Sequence, residues 1–515
     1  MSPSILLINP RADFPTYYGA EVYEGRGFRP AAFLADLVLP TLAAMVPEDF
    51  HVKLCDEHLE AVDPDQDCDF VGITGKISQW GRMKALAAAF RERGRVVIIG
   101  GPHASLSPEV VRPHCDILVR GEIEEISAEF FADLRSGRWR EEYVGGRPDL
   151  SLTPMPRWDL YSHYNDRVLT ATVQTARGCP FECEFCDVIQ YLGRRQRKKP
   201  VERIIAELDA VYAHGYRSVL LADDNTTASR AFVKELLERI AAWNRERVDG
   251  HISFSTQLSI DAARDDEVLE LCARAGMTHV FIGVETPNEE SLVEIKKHQN
   301  LRRNLRNPEQ SEPSMVDQIH RFYRHGIGVT AGIICGFDHD GPEIFERQYA
   351  FAMTSAVPIL TVGALVAPAG TPLHERLRSA GRLVDGSEVP GHPWNTNIVP
   401  AQMSREELER DILALIERLY HPRAFGERML DMVEHLAPHP LAGTAAQRKR
   451  LRSVDADTLA LIGAVKNLDR EARLMWERVM AVLPRKPGVA VPLMEALVRY
   501  QQVRFMLESA PLPSC

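Results

Sequence analysis

At 515 residues, with 45% hydrophobic and 26% charged content, the chain has room for about three domains and the make-up of a globular protein. A formal net charge of -11 argues against general nucleic-acid binding. Nine cysteines, three of them close together, fit a reducing compartment better than a disulfide framework; with no basic leader and no apolar run near the roughly 20 residues of a membrane span, a cytoplasmic protein is expected.

Short apolar runs open the chain at 5–8, 52–55, 70–73, 96–99 and 117–119, with helical patterns between them. They predict a parallel sheet covered by helices on both faces, one helix showing its stripe at Ile123, Ile126, Phe130 and Leu134. Ligands of such sheets sit beyond the strand C-termini, which here carry Asn9-Pro10, Asp56-Glu57-His58, Thr74-Gly75-Lys76, Gly100-Gly101-Pro102-His103 and Gly121-Glu122. This pattern resembles the cobalamin-binding domain, which implies a Rossmann-like unit over 1–144 with Thr74, Gly100 and Gly101 at the cofactor, the glycines letting backbone approach a large flat ligand. In Asp56-x-His58-x-x-Ala61, Ala61 stands where cobalamin proteins of the base-off kind carry Gly. Two readings of His58 stay open, a lower cobalt ligand and a surface histidine at a strand end; the domain accordingly binds cobalamin or serves as scaffold.

Residues 145–167 are rich in proline and glycine and read as a linker. The strand predicted at 168–175 leads into Ala176-Arg177-Gly178-Cys179-Pro180-Phe181-Glu182-Cys183-Glu184-Phe185-Cys186. Three thiols on one short loop are a soft ligand set for an iron-sulfur cluster or zinc, the alternative being three unrelated thiols, and three ligands leave one metal position open. A closed zinc site needs a fourth Cys or His, and none follows locally. The Cys-x-x-x-Cys-x-x-Cys spacing, with Phe185 just before the last cysteine, resembles the radical S-adenosylmethionine (SAM) superfamily. The resemblance implies that Cys179, Cys183 and Cys186 hold a 4Fe-4S cluster whose open iron chelates SAM and delivers the electron that yields a 5'-deoxyadenosyl radical.

Further strands are predicted at 217–222, 252–258, 279–284, 328–335 and 360–366, and the resemblance implies a partial (β/α)6 barrel over 168–390. The run Arg194-Arg195-Gln196-Arg197-Lys198-Lys199 could attract an anionic substrate or electron donor, or be a solvated loop, and Pro200 suits the first turn of the helix that follows. Asp223 and Asp224, after the second strand, match the acidic tip that holds the SAM amino group in relatives with a cobalamin domain, Asn225 or Thr226 being left to cap the next helix. Ser255 and Gln257 share one strand face and could reach SAM or substrate. Glu285 resembles the carboxylate at the family's fourth-strand tip, and Glu285 and Gln257 are the candidate catalytic side chains. Gly332 and Gly336 resemble the motif whose backbone contacts adenine, packing being the other reading, and Val366 closes the sixth strand on the cofactor side. The stretch Lys296-Lys297-His298-Gln299-Asn300 resembles a Lys-x-Gln-Asn stretch of hopanoid ring methylases; 302–313 reads as an inserted surface loop or lid.

Residues 391–515 are helical in pattern, with a stripe at 408, 412, 415 and 416, and resemble the helical extension of the hopanoid-methylase-like subgroup, which would close the barrel's open side. Cys515 is a free thiol or part of a disordered tail. Together the resemblances imply a cobalamin-dependent C-methyltransferase that acts on an unactivated carbon of a small-molecule or lipid substrate and draws electrons from a flavodoxin or ferredoxin. A cobalamin-independent radical SAM group transfer, such as that of a 3-amino-3-carboxypropyl group, and a metal-binding scaffold without turnover are the alternatives.

Overall fold

Alternation along β1 (Ser4–Asn9) sets the first layer of the computed structural model, which describes residues 2–247, 250–302, 312–384, 391–442 and 455–510. Ile5 and Leu7 pack into one hydrophobic core while Leu6 and Ile8 pack into another, so the strand is buried on both faces. It lies between β3 (His51–Asp56) and β4 (Phe70–Thr74), followed by β5 (Val96–Gly100), β6 (Ile117–Arg120) and β7 (Glu142–Val144), all parallel. Helix Trp80–Glu92 covers one face with Trp80, Met83, Leu86 and Phe90; helix Ser127–Ser136 covers the other with Phe130 and Leu134. That helix starts four residues later than the apolar stripe suggests, because Ile126 is already its N-cap.

The second sheet runs β15 (Ile359–Ala364), β14 (Gly328–Cys335), β13 (Met277–Glu285), β12 (Ser253–Leu258), β11 (Ser218–Leu221), β8 (Val168–Val173), β2 (Ala32–Leu34), again all parallel. It curls into a half-barrel with β15 and β2 as its edges. β2 was not foreseen: Ala32 pairs with Val168, so a piece of the chain's first 144 residues extends the barrel sheet. The 145–167 segment is not a free tether either, since Trp158, Tyr161 and Tyr164 are buried in the core. Helix Ala490–Glu508 packs on β15 and on helix Glu21–Gly25, bridging from one sheet edge towards the segment that leads to the other. No helix among the described residues is long and apolar enough to cross a membrane. Most of the 302–313 insertion (303–311) and Cys515 lie outside the described residues.

Candidate active site

The three-cysteine loop leaves β8 and is closed at its base by a short antiparallel pair, β9 (Ala176–Arg177) with β10 (Arg197–Lys198). Gly178 sits at φ +91, where a Cβ would lie 2.7 Å from the Arg195 carbonyl and 2.8 Å from that of Gly193; glycine alone lets the two arms meet. The Cys179 amide donates to the Gly193 carbonyl (3.2 Å) and the Cys186 amide to that of Cys183 (3.1 Å), which sets the last two cysteines on one turn. Burial pushes the Cys186 thiol up to about 12 and raises Cys179 and Cys183 as well. Such thiols need a strong electrophile to become thiolates, which a metal centre supplies.

Among the described residues no three or more His, Cys, Asp or Glu side chains gather as ligands of a single ion. A cluster that gives each thiolate its own iron does not require them to; three thiols on one loop with no fourth protein ligand beside them fit a 4Fe-4S cluster with one iron left open.

Asp223 accepts from the Thr175 amide (2.7 Å), the Thr175 hydroxyl and the Ala176 amide (2.9 Å). Both its oxygens are thus bonded to the strand end that launches the loop, which Asp223 supports. Asp224 is the better placed of the two: it takes only the Gly178 amide (3.0 Å), and burial, followed by Asp223 and Asp187, raises it to about 6. Neither Asn225 nor Thr226 caps the next helix, Arg230–Arg245, whose N-cap is Ser229; their side chains bond instead to Ser259 and Thr256. Of the basic run, Arg194, Arg195 and Lys198 are exposed and only Lys199 is buried. Arg197 pairs with Glu122, Lys199 is buried on Glu207 (2.6 Å), and Arg194 pairs with Glu182. Pro200 is the N-cap of helix Val201–Ala213, one position before its first turn.

The opposite wall of the loop comes from β13 and the turn after it. Glu285 ends β13 at φ +62, an uncommon region for a non-glycine residue, and its carboxylate takes the Lys297 ammonium at 2.7 Å, the side chains being 8% and 12% exposed. Burial acts against the Lys297 charge but is outweighed by Glu285, Cys183 and Cys186, so its pKa rises. Gln299 directs its amide at the Cys183 sulfur (3.8 Å), and Asn300 clamps the Gly283 and Val284 carbonyls, each at 2.9 Å. At Gly283 a Cβ would stand 2.4 Å from the Glu285 carboxylate and 3.0 Å from the Lys297 ammonium, so the pair needs that glycine. Lys297 and Gln299 were not among the sequence's site candidates; the Lys-x-Gln-Asn stretch was the signal that could have found them.

Glu184 is held by Arg376 (2.8 and 3.0 Å), which also reaches Glu294 (2.7 Å) and Asp338 (2.5 Å). Burial works to raise Asp338, but Arg382 and Arg376 outweigh it and hold the carboxyl near 2, whereas burial and the Asp338 charge push Glu294 up to about 7. Phe185 lies 6.3 Å from the ring of Phe337. Ser255 and Gln257 share the face of β12 opposite buried Phe254, Thr256 and Leu258, with Gln257 exposed. Gly332 leaves room for the Phe281 ring, whose tip a Cβ would approach to 2.9 Å, and Gly336 turns at φ +108 with its amide on Asp340. Val366 lies two residues past β15, half-buried on the chain that leaves it.

The C-terminal edge of the first sheet faces this loop. Glu122 and Glu124, just after β6, bind Arg177 of β9, the second at 2.6 Å; helix Pro102–Leu106, after Gly101, packs on helix Val188–Tyr191, after Cys186. Lys76 acts on Asp187, the residue after the last cysteine. Thr74 and Gly101 meet there, but not as a bare cradle: a Cβ on Gly101, at φ +94, would stand 2.7 Å from the Thr74 hydroxyl and 3.0 Å from the Gly75 amide. Gly101 is required by loop packing, whereas a Cβ on Gly100 would meet Val119 at an ordinary 3.5 Å. His58 holds Nδ1 on Asp56 at 3.0 Å, Asp56 in turn accepting from the Tyr161 hydroxyl (2.6 Å), and keeps 26% of its side chain exposed. A carboxylate-anchored imidazole with its other nitrogen presented outwards is the arrangement of a metal-ligating histidine, so this edge fits a cobalt-bearing corrin.

The Radical SAM superfamily model matches residues 173–352, and a Domain of unknown function (DUF4070) matches 371–508. An uncharacterized methyltransferase, sll1242 of Synechocystis, is 32% identical over 469 residues, 88% of this chain and 83% of that one. Hopanoid C-2 methylase of Rhodopseudomonas palustris is 29% identical over 426 residues, 81% and 77% of the two chains. Among solved structures, the cobalamin-dependent S-adenosylmethionine radical enzyme OxsB with aqua-cobalamin bound superposes with a TM-score of 0.61 at 14% identity, over 98% of this chain and 80% of its own.

Proposed function

Since the chain belongs to the radical SAM superfamily, we propose that it is a cobalamin-dependent C-methyltransferase acting on an unactivated carbon. The observation that carries this reading is that the C-terminal edge of the first sheet is bonded directly to the cysteine loop, through Glu122 and Glu124 on Arg177, so that two cofactor edges face one reaction space. When bound, the cluster and SAM supply a 5'-deoxyadenosyl radical and cobalamin supplies a transferable methyl group.

The residues divide that work. Cys179, Cys183 and Cys186 would hold the cluster, with Gln299 donating to the Cys183 sulfur and the Lys297 ammonium beside it. Asp224 would accept the SAM amino group at the second strand tip and Gly332, Gly336 and Val366 would border its nucleoside end, while Ser255 would reach SAM or substrate. Glu285, held by Lys297, and Gln257 border the reacting carbon. His58, its Nδ1 held by Asp56, would ligate the cobalt of a bound cobalamin, with Thr74 and Gly100 on the same sheet edge. In this reading the chain divides into a cobalamin unit (1–144), a packed connector (145–167), the barrel (168–390) and the helical region (391–515). Its partners are a small-molecule or lipid substrate and a cytoplasmic flavodoxin or ferredoxin.

The test is the ultraviolet-visible spectrum of anaerobically purified protein expressed with ample cobalamin, alongside iron and cobalt analysis. About one cobalt per chain beside a four-iron cluster is expected. Iron without cobalt would overturn methyl transfer by cobalamin and favour the cobalamin-independent radical transfer instead.

A further inference from the structure

A complete (β/α)8 barrel fills its interior with layers of side chains. Here the inward positions around the cavity carry small Ser218, Ser255, Gly328, Thr330 and Thr361 beside Leu220, His279, Phe281 and Ile359, while the outward Val219, Val280, Ile282, Ala331 and Val362 make the core under the surrounding helices. The small inward set leaves a cavity of about 650 Å³, inside the range of roughly 300–1,000 Å³ over which single small-molecule sites occur. It lies around the strand N-terminal halves, reaching Thr278 and His279 at the start of β13. Tyr17, Tyr18 and Phe33 line it from the N-terminal segment, and Met494, Val498 and Arg499 from helix Ala490–Glu508. The cavity is directly below the cysteine loop: β13 climbs from His279 past Phe281 to Glu285, about 20 Å at about 3.3 Å per residue.

Its lining is mostly aromatic and aliphatic, with Asp166, Asp455, Glu495 and two guanidinium groups; that of Arg217 is spent on the Tyr212 ring and on the Tyr212 and Tyr216 carbonyls, and that of Arg499 is set among rings. Arg499 stacks on Phe33 (4.0 Å) and Tyr18 (5.4 Å) and donates to the Tyr17 carbonyl at 3.3 Å. Burial works against its charge, and the carboxylate that supports it most, Glu495, is an exposed residue one turn back on the same helix. Among the described residues the Arg499 guanidinium, with five N–H groups, donates only to the Tyr17 carbonyl.

We propose that this cavity seats the substrate and that the substrate is an amphiphile, a long-chain hydrocarbon body filling the lumen with a single oxyanion on Arg499. The proposal rests on the reading of the upper barrel as the radical SAM site, since the carbon presented to that site would then stand about 15–20 Å from the oxyanion. Volume and lining set the body; the guanidinium among rings sets the end group.

The experiment is a fluorescence titration of the iron-loaded protein with cis-parinarate, an 18-carbon polyene carboxylate, with displacement by palmitate and by hexadecanol. Saturable binding of one parinarate per chain is expected, weakened at least tenfold by Thr361→Phe and by Leu220→Trp, two independent ways of filling the lumen, at unchanged circular dichroism and iron content. Arg499→Met should weaken palmitate at least tenfold while leaving hexadecanol within about threefold. Absence of saturable binding, or binding indifferent to both filling variants, would overturn the proposal, and equal losses for palmitate and hexadecanol in Arg499→Met would overturn the oxyanion. Iron and cobalt measured on the same samples separate the two readings: full cofactor loading without parinarate binding removes the amphiphile and leaves methyl transfer standing, and parinarate binding without cobalt does the reverse.

Discussion

Replacing Lys297 by Met removes an ammonium and keeps most of its volume, leaving the Glu285 carboxylate buried without its partner at 2.7 Å. At an effective dielectric near 20, the lost attraction at that distance is about 6 kcal/mol, and removing one member of a buried pair is destabilising by roughly 3–5 kcal/mol once water and side chains readjust. With both side chains slightly exposed, the low end applies, about 3 kcal/mol, and it should be local, because Asn300 and the Glu285 turn are part of the same unit. Native-state hydrogen exchange at the amides of residues 283–285 reads this directly: about 3 kcal/mol is an exchange rate roughly 150-fold faster. Adding Glu285→Gln to Lys297→Met removes the stranded charge and should recover most of the protection. If exchange in Lys297→Met matches wild type, or the double variant is no better protected than the single one, the buried pair does not hold the β13 tip and the argument for its place beside the cysteines fails.

Cys183→Ala should abolish iron-sulfur absorption after reconstitution, whereas Cys335→Ala, at a buried strand position away from the loop, should retain it; iron per chain decides. Asp223→Asn keeps one acceptor oxygen where three donors converge and should loosen the loop's base by about 1–3 kcal/mol, seen as faster cleavage within 176–197 under limited proteolysis at unchanged overall secondary structure. His279 is half-buried with Nε2 on the Thr330 hydroxyl (2.7 Å), and desolvation, with Arg499, depresses it to about 4. A depressed histidine contributes stability that is full above its unfolded pKa near 6.5 and is lost as pH falls towards 4, up to about 3 kcal/mol. Wild type should therefore lose more of its denaturation midpoint than His279→Gln between pH 7.5 and pH 5, and parallel losses would exclude His279 as the source.

The strands were legible because their signals are local. The five apolar runs of the first sheet and the six strands of the barrel all appear within a residue or two of their predicted places, since a continuous apolar run in the one and an alternating pattern in the other need no distant partner to be recognised. β2 escaped because Ala32–Leu34 is too short to show a period and becomes a strand only by pairing with Val168. The acidic tip shows the same limit more sharply. Asp223 and Asp224 are adjacent and chemically identical, and only the folded loop spends one on Thr175 and Ala176 while leaving the other nearly free.

The sequence by itself determined the family chemistry, because the three cysteines, their spacing and Phe185 lie within one short loop and their meaning does not depend on where that loop sits. It also determined the layered α/β plan, through runs whose burial is written in their own side chains. Tertiary structure alone decided which residues surround the cysteines. Lys297 and Gln299 reach Cys183 across more than a hundred residues of chain, and Arg376 reaches Glu184 across 192. It alone decided, too, that the barrel is hollow, since an inward serine or glycine makes a cavity only when five other strands and a helix from the far end of the chain close around it. Local patterns report a residue's own burial; the shape of an empty space is a property of all its walls at once.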